Sequence, residues 1–151
     1  MIYVDGCCNS TIGSCSSVTD KDGNCLIKKY KAFLDHCSFL FDFNYKNHNN
    51  RIVYEIKFDD VKSQQNNGAE LVAMCIGLLI GIYFNKLELY SDSDLMVKYW
   101  SNKESKTIKC KRKAKIQRYC IELADYYKSM GGKIIKIGGD CNPADLGFHK
   151  K

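Results

Sequence analysis

Proline is almost absent from this chain of 151 residues: Pro143 is the only one, so breaks between elements fall to glycine and asparagine clusters. No run of 18 or more apolar residues occurs, which excludes an ordinary membrane-spanning helix. The start, Met1-Ile2-Tyr3-Val4-Asp5, lacks the basic and long apolar regions of a secretory signal, so none is expected. Internal repeats and low-complexity tracts are also missing. Cysteine is plentiful, at nine, yet no Cys-x-x-Cys occurs and the count is odd. That pattern argues against a disulfide framework and against zinc, and for buried thiols in a reducing compartment, cytoplasm or nucleus. Arginine is scarce: lysine outnumbers it 20 to 3, a bias consistent with A/T-rich coding such as that of a large virus or a parasite.

What is present supports one domain, 1–151. The hydrophobic fraction of 45% suffices for a core and excludes a disordered chain. The net charge of +6 is unevenly spread. Ser101 to Arg118 holds eight basic residues and one acid, a net +7, while the remainder carries −1. A basic segment on an otherwise near-neutral chain points to a polyanionic partner.

Periodicity places the elements. Ile2 to Cys8 and Gly13 to Asp20 read as strands, with Asp22-Gly23 as a turn and Asn24 to Phe33 as a returning strand. Asp35 to Asn50 is ambiguous, with Phe39, Phe41, Phe43 and Tyr45 in alternation before a polar cluster. Arg51 to Val61 alternates with period two and predicts a strand. Gly68 to Phe84 is apolar all round after Glu70, which predicts a central buried helix with Asn66 or Asn67 as its N-cap. Leu87 to Tyr90 predicts a strand, Asp94 to Trp100 the start of a helix, and Ile116 to Met130 a helix stopped by Gly131-Gly132. Lys133 to Ile137 is a last strand, and Asn142-Pro143-Ala144-Asp145 can open a terminal helix. Hairpins first and β-α-β crossovers later suggest an α/β fold with a mixed sheet.

Four carboxylates stand out. Asp5 lies inside a strand, where it has no capping role and costs desolvation energy. Glu70 begins an apolar helix, which the macrodipole alone also favours. Asp92, in Ser-Asp-Ser, follows a strand's C-terminal end, where open α/β sheets place their sites, although an N-cap role suits it equally. Asp145 starts the last segment. Converging carboxylates repel, and a divalent cation removes the penalty.

These motifs together resemble ribonuclease H of the type 1 class, including the domains of retroelement reverse transcriptases. Val4-Asp5-Gly6 is similar to the first-strand acid motif, and Asn66-Asn67-Gly68-Ala69-Glu70-Leu71 to the Asn-Asn-x-x-Glu-Leu helix start. Leu89-Tyr90-Ser91-Asp92-Ser93 is similar to the Thr/Ser-Asp-Ser motif, and Asn142-Pro143-Ala144-Asp145 to the C-terminal Asn-x-x-Ala-Asp element. The resemblance implies a ribonuclease H-like fold: a mixed five-stranded sheet, three antiparallel strands then two parallel, with helices on both faces. It implies hydrolysis of the RNA strand of an RNA–DNA hybrid, leaving 5′-phosphate and 3′-hydroxyl ends. Asp5, Glu70, Asp92 and Asp145 would hold two Mg²⁺ ions, with Mn²⁺ able to substitute, one at the attacking water and one at the leaving oxygen. Glu70 and the backbone at Gly6 and Cys7 would read the 2′-hydroxyls, and Asn66 and Asn67 the minor groove. Trp100, Lys103, Lys106, Lys109, Lys111, Arg112, Lys113 and Lys115 match a basic, Trp-containing protrusion that binds the DNA strand. The expected partner is the hybrid, with no membrane, and the expected state is a monomer.

The chain also departs from the family. Gln64-Gln65 stands where many members have a phosphate-gripping Thr, the loop Gly138 to Cys141 has no His, and His149 does not match that role. Residues 24–50 are longer than the usual hairpin. Two alternatives therefore stay open: a catalytically silent module that binds nucleic acid or protein, and a related nuclease such as a junction resolvase or exonuclease.

Overall fold

The computed structural model describes residues 1–9, 13–37, 43–48, 51–56, 65–102, 108 and 110–145. Its strands are β1 (Ile2–Asn9), β2 (Gly13–Thr19), β3 (Asn44–His48), β4 (Arg51–Ile56), β5 (Glu88–Ser91) and β6 (Lys133–Lys136). They form one mixed sheet in the order β3-β4-β2-β1-β5-β6. The pairs from β3 to β1 are antiparallel, whereas β1–β5 and β5–β6 are parallel.

Among the described residues the sheet has six strands, which corrects the expected five. The additional strand is β3, at the edge, and it falls in the stretch whose pattern was ambiguous. Its polar residues are tolerated because that edge faces solvent. Its anchor is Tyr45, which lies directly opposite Tyr54 in register, with ring centroids 4.4 Å apart.

A second correction concerns 24–33. Instead of a returning strand, this stretch forms two short helices, α1 (Leu26–Lys29) and α2 (Lys31–Leu34). The turn before them matches expectation: the Asp20 carboxylate accepts the amides of Asp22 and Asn24, both at 2.9 Å, and Gly23 takes φ +82°. Beyond it, Leu26, Ile27 and Leu34 are buried at helical spacing, and β4 already occupies the free edge of β2.

The long helix α3 (Gln65–Tyr83) buries every residue from Leu71 to Ile80, as a helix apolar all round must. Because α3 begins at Gln65, Asn66 and Asn67 sit in its first turn and do not cap it. Helix α4 (Lys111–Ser129) is amphipathic, with Ile116, Cys120, Ala124 and Tyr127 buried at intervals of three and four residues. It ends as expected, with Gly131 at φ +91° and the Gly132 amide donating to Tyr127 O at 2.9 Å. Between β5 and α4 a π-helical segment, Leu95–Trp100, turns Met96 and Trp100 into the core.

All these helices share one apolar cluster with Ile2, Val4, Val18 and Leu89. The resemblance predicts helices on both sheet faces. Among the described residues the α-helices lie on one face, and the stretch after Asp145, where the sequence predicts a terminal helix, lies outside them. No helix among the described residues is long and apolar enough to cross a membrane. The described cysteines are thiols, and Cys7, Cys15, Cys75, Cys110 and Cys120 are buried.

Candidate metal centre

Register brings the first two acids together. Val4 pairs with Ser91 across the parallel β1–β5 ladder, so Asp5, the next residue on β1, runs alongside Asp92 just past the end of β5. A close approach brings the third. A Cβ added at Gly6 would lie 2.2 Å from Glu70 N and 2.3 Å from the Ala69 carbonyl carbon, so only glycine lets α3 rest on β1 here. The Ser16 hydroxyl, donating to Ala69 O at 2.6 Å, pins the same turn to β2. Glu70 is thereby delivered beside Asp5.

One carboxylate oxygen from each of Asp5, Glu70 and Asp92 lies within 4.8 Å of the other two. Asp5 is buried and the other two are half-buried. Burial, then the charges of Asp92, Glu70 and Asp145, push the Asp5 carboxyl up to about 8. Burial also lifts Glu70 to about 7, opposed by a hydrogen bond with the Ser93 side chain and assisted by the charge of Asp92. A fold that places three acids so close holds them against their own repulsion. An all-oxygen donor set of this kind suits a hard divalent cation such as Mg²⁺ or Mn²⁺ and would regain the lost ionisation on binding one. The residues present thus fit the group that the sequence implied.

Asp145 stands outside the three-oxygen cluster, yet its charge is felt at Asp5. It closes a tight turn, Asn142–Asp145, rather than opening a helix within the described residues. Asn142 organises this turn. Its Nδ2 donates to Val4 O at 3.0 Å and to Asp92 Oδ2 at 3.3 Å, while its Oδ1 accepts the Ala144 amide at 3.0 Å. Asn142 and Ser93 stand in the sequence as parts of motifs, with no task given to either. The signal for Ser93 was its place next to Asp92, and for Asn142 its place in the motif that ends in Asp145.

The other nominated residues divide. Gly6 and Cys7 are buried on β1, and Asn67 is half-exposed on the first turn of α3. Lys111 and Lys115 are exposed on α4, and Arg112 lies with its guanidinium 4.6 Å from the Phe43 ring centroid. Trp100 and Lys113 are only 8% and 1% exposed, which corrects their expected place on a binding surface. Trp100 follows Met96 on the inward side of the π-helical segment, and Lys113 lies on the same stripe of α4 as Ile116, Gln117 and Cys120. Lys103, Lys106 and Lys109 lie outside the described residues.

No protein-family model matches this chain, and neither the curated proteins nor the solved structures contain a match to it. The residues and their geometry carry the functional reading.

Proposed function

We propose that this protein is a metal-dependent ribonuclease H that hydrolyses the RNA strand of RNA–DNA hybrids. One observation carries the reading: Asp5, Glu70 and Asp92, each drawn from a separate family-like motif, converge within 4.8 Å from β1, α3 and the end of β5. The sheet lends support, since without its edge strand β3 it has three antiparallel strands followed by two parallel ones.

Asp5, Glu70 and Asp92 would hold the first cation, and Asp145 would complete the site for a second. When bound, the cations supply charge neutralisation at the attacking and leaving oxygens of the scissile phosphodiester. Asn142 fixes Asp92 through its 3.3 Å hydrogen bond, and the Ser93 contact orients Glu70. The backbone at Gly6 and Cys7 and the side chain of Glu70 would test for a 2′-hydroxyl, which selects RNA. Lys111 and Lys115 project from one end of α4 and would meet phosphates, giving affinity rather than sequence preference.

A labelled RNA–DNA hybrid incubated with Mg²⁺ tests the proposal. Cleavage of the RNA strand to 5′-phosphate ends is expected from the parent and none from Asp92→Asn. Cleavage that Asp92→Asn leaves untouched would sink it, as would a preference for duplex RNA, single-stranded DNA or a four-way junction. Salt-sensitive hybrid binding without turnover would identify a silent module instead.

A further inference from the structure

The turn that carries Asp145 is held at its far end by Arg51, a residue with no evident role in the sequence. Arg51 begins β4 and is half-buried. Among the described residues it forms no ion pair, and its guanidinium donates to backbone instead. Nη2 reaches Pro143 O at 2.8 Å, and Nη1 reaches Asp145 O at 3.5 Å. Nη1 also lies 3.5 Å from the Ser17 hydroxyl. Ser17 is the direct register partner of Asp5. One rigid group thus touches the strand opposite the first acid and the turn that ends in the fourth.

Asn142 ties the start of the turn to Val4 and Asp92. The amides of Ala144 and Asp145 are spent inside the turn, on Asn142, and Pro143 has no amide to offer. The carbonyls of Pro143 and Asp145 are where an outside group takes hold. A planar fork with several fixed donors can hold two neighbouring carbonyls at once, whereas an ammonium holds them less well. Gly23 lies beside this junction: a Cβ there would meet Arg51 Nη2 at 3.8 Å and Pro143 O at 4.0 Å, ordinary contact distances, so the φ of +82° and not space favours glycine.

We propose that Arg51 is a positioning residue that sets the Asp145 carboxylate relative to Asp5, and through it the second cation site. The idea rests on the nuclease reading above. Its expected signature is selective: loss of Arg51 should weaken the second cation site and spare the one formed by Asp5, Glu70 and Asp92.

The test uses the full chain as parent, Arg51→Met, Arg51→Lys and Asp145→Asn. Amide exchange at Ala144 and Asp145 is followed without metal, Mn²⁺ binding by calorimetry, and hybrid cleavage for kcat and KM. Arg51→Met should accelerate exchange at both amides. It should also weaken the second Mn²⁺ equivalent roughly tenfold to a hundredfold, the effect of one charge-assisted hydrogen bond. That is the direction Asp145→Asn should take, and kcat should fall while KM for the hybrid holds. Arg51→Lys should recover part of each effect, and it carries the test if Arg51→Met does not fold. Unchanged exchange in the variants overturns the clamp. Faster exchange with unaltered second-site affinity overturns the positioning role. A parent that binds no Mn²⁺, beside a loosened turn in Arg51→Met, overturns the metal reading and the positioning role with it, leaving Arg51 as a contact of the fold alone.

Discussion

Without metal, this protein should lose stability as pH rises, and one substitution should remove a defined part of that loss. In the fold Asp5 keeps its proton up to about 8, against 3.8 unperturbed, and Glu70 up to about 7, against 4.5. Between those limits the folded chain holds protons that the unfolded chain has released. Stability is therefore greatest below the unfolded values and declines as pH rises through the folded ones. Each carboxyl contributes a slope of ~1.4 kcal/mol per pH unit. From about pH 5 to 7 both act and their slopes add, and from 7 to 8 Asp5 acts alone. The Asp5 share amounts to on the order of 5 kcal/mol, a large part of the roughly 5–15 kcal/mol that stabilises an ordinary domain. Urea unfolding with a chelator, at several pH values between about 5 and 9, measures the slopes directly. Asp5→Asn should abolish the slope above about pH 7 and keep the Glu70 share below it. Saturating Mg²⁺ should flatten the parent's profile, because a bound cation favours the ionised carboxylates. A parent whose stability is flat over this range, or an Asp5→Asn variant that retains the parent's full slope, refutes the electrostatic account of the centre.

Two further outcomes follow from the geometry. Gly6→Ala places a Cβ 2.2 Å from Glu70 N, so α3 must lift from β1. Unfolding should show a loss of about 3 kcal/mol from overpacking, and calorimetry a weaker first cation site, since Glu70 moves with the helix. Replacing Lys111 and Lys115 together by Gln should weaken hybrid binding and reduce its log–log salt slope by roughly 1 to 2, with cation affinity at the carboxylates unchanged. An unaltered salt slope would remove this end of α4 from the interface.

The parts of the fold that were legible in the sequence are those set by local pattern. The alternation in Arg51–Ile56, the continuous apolar run that became α3 and the Gly131 stop of α4 all lie where periodicity put them. Asp5 was legible because a carboxylate inside a strand has no capping use, whereas Glu70 and Asp92 each had one and stood out only through their motifs taken together with it. The misreadings share a cause. The edge strand β3 depends on Tyr45 meeting Tyr54, and the helices at 26–34 depend on β4 having taken the edge of β2. Both are long-range pairings with no local signature.

The basic stretch shows the same division. Composition alone locates a net charge of +7 between Ser101 and Arg118. Only packing decides that Trp100 and Lys113 face the core while Lys111 and Lys115 face solvent, because a helix sorts its residues by angle around the axis and not by charge. The sequence by itself determined which acids this protein carries, their order, and the apolar helix that must lie at its centre. The tertiary structure decided that three of them meet within 4.8 Å, through the Val4–Ser91 register and the close contact at Gly6. It also decided that Arg51, distant in the chain, grips the turn of the fourth. Such contacts join segments dozens of residues apart, and only the packing of the sheet and its helix sets their distances.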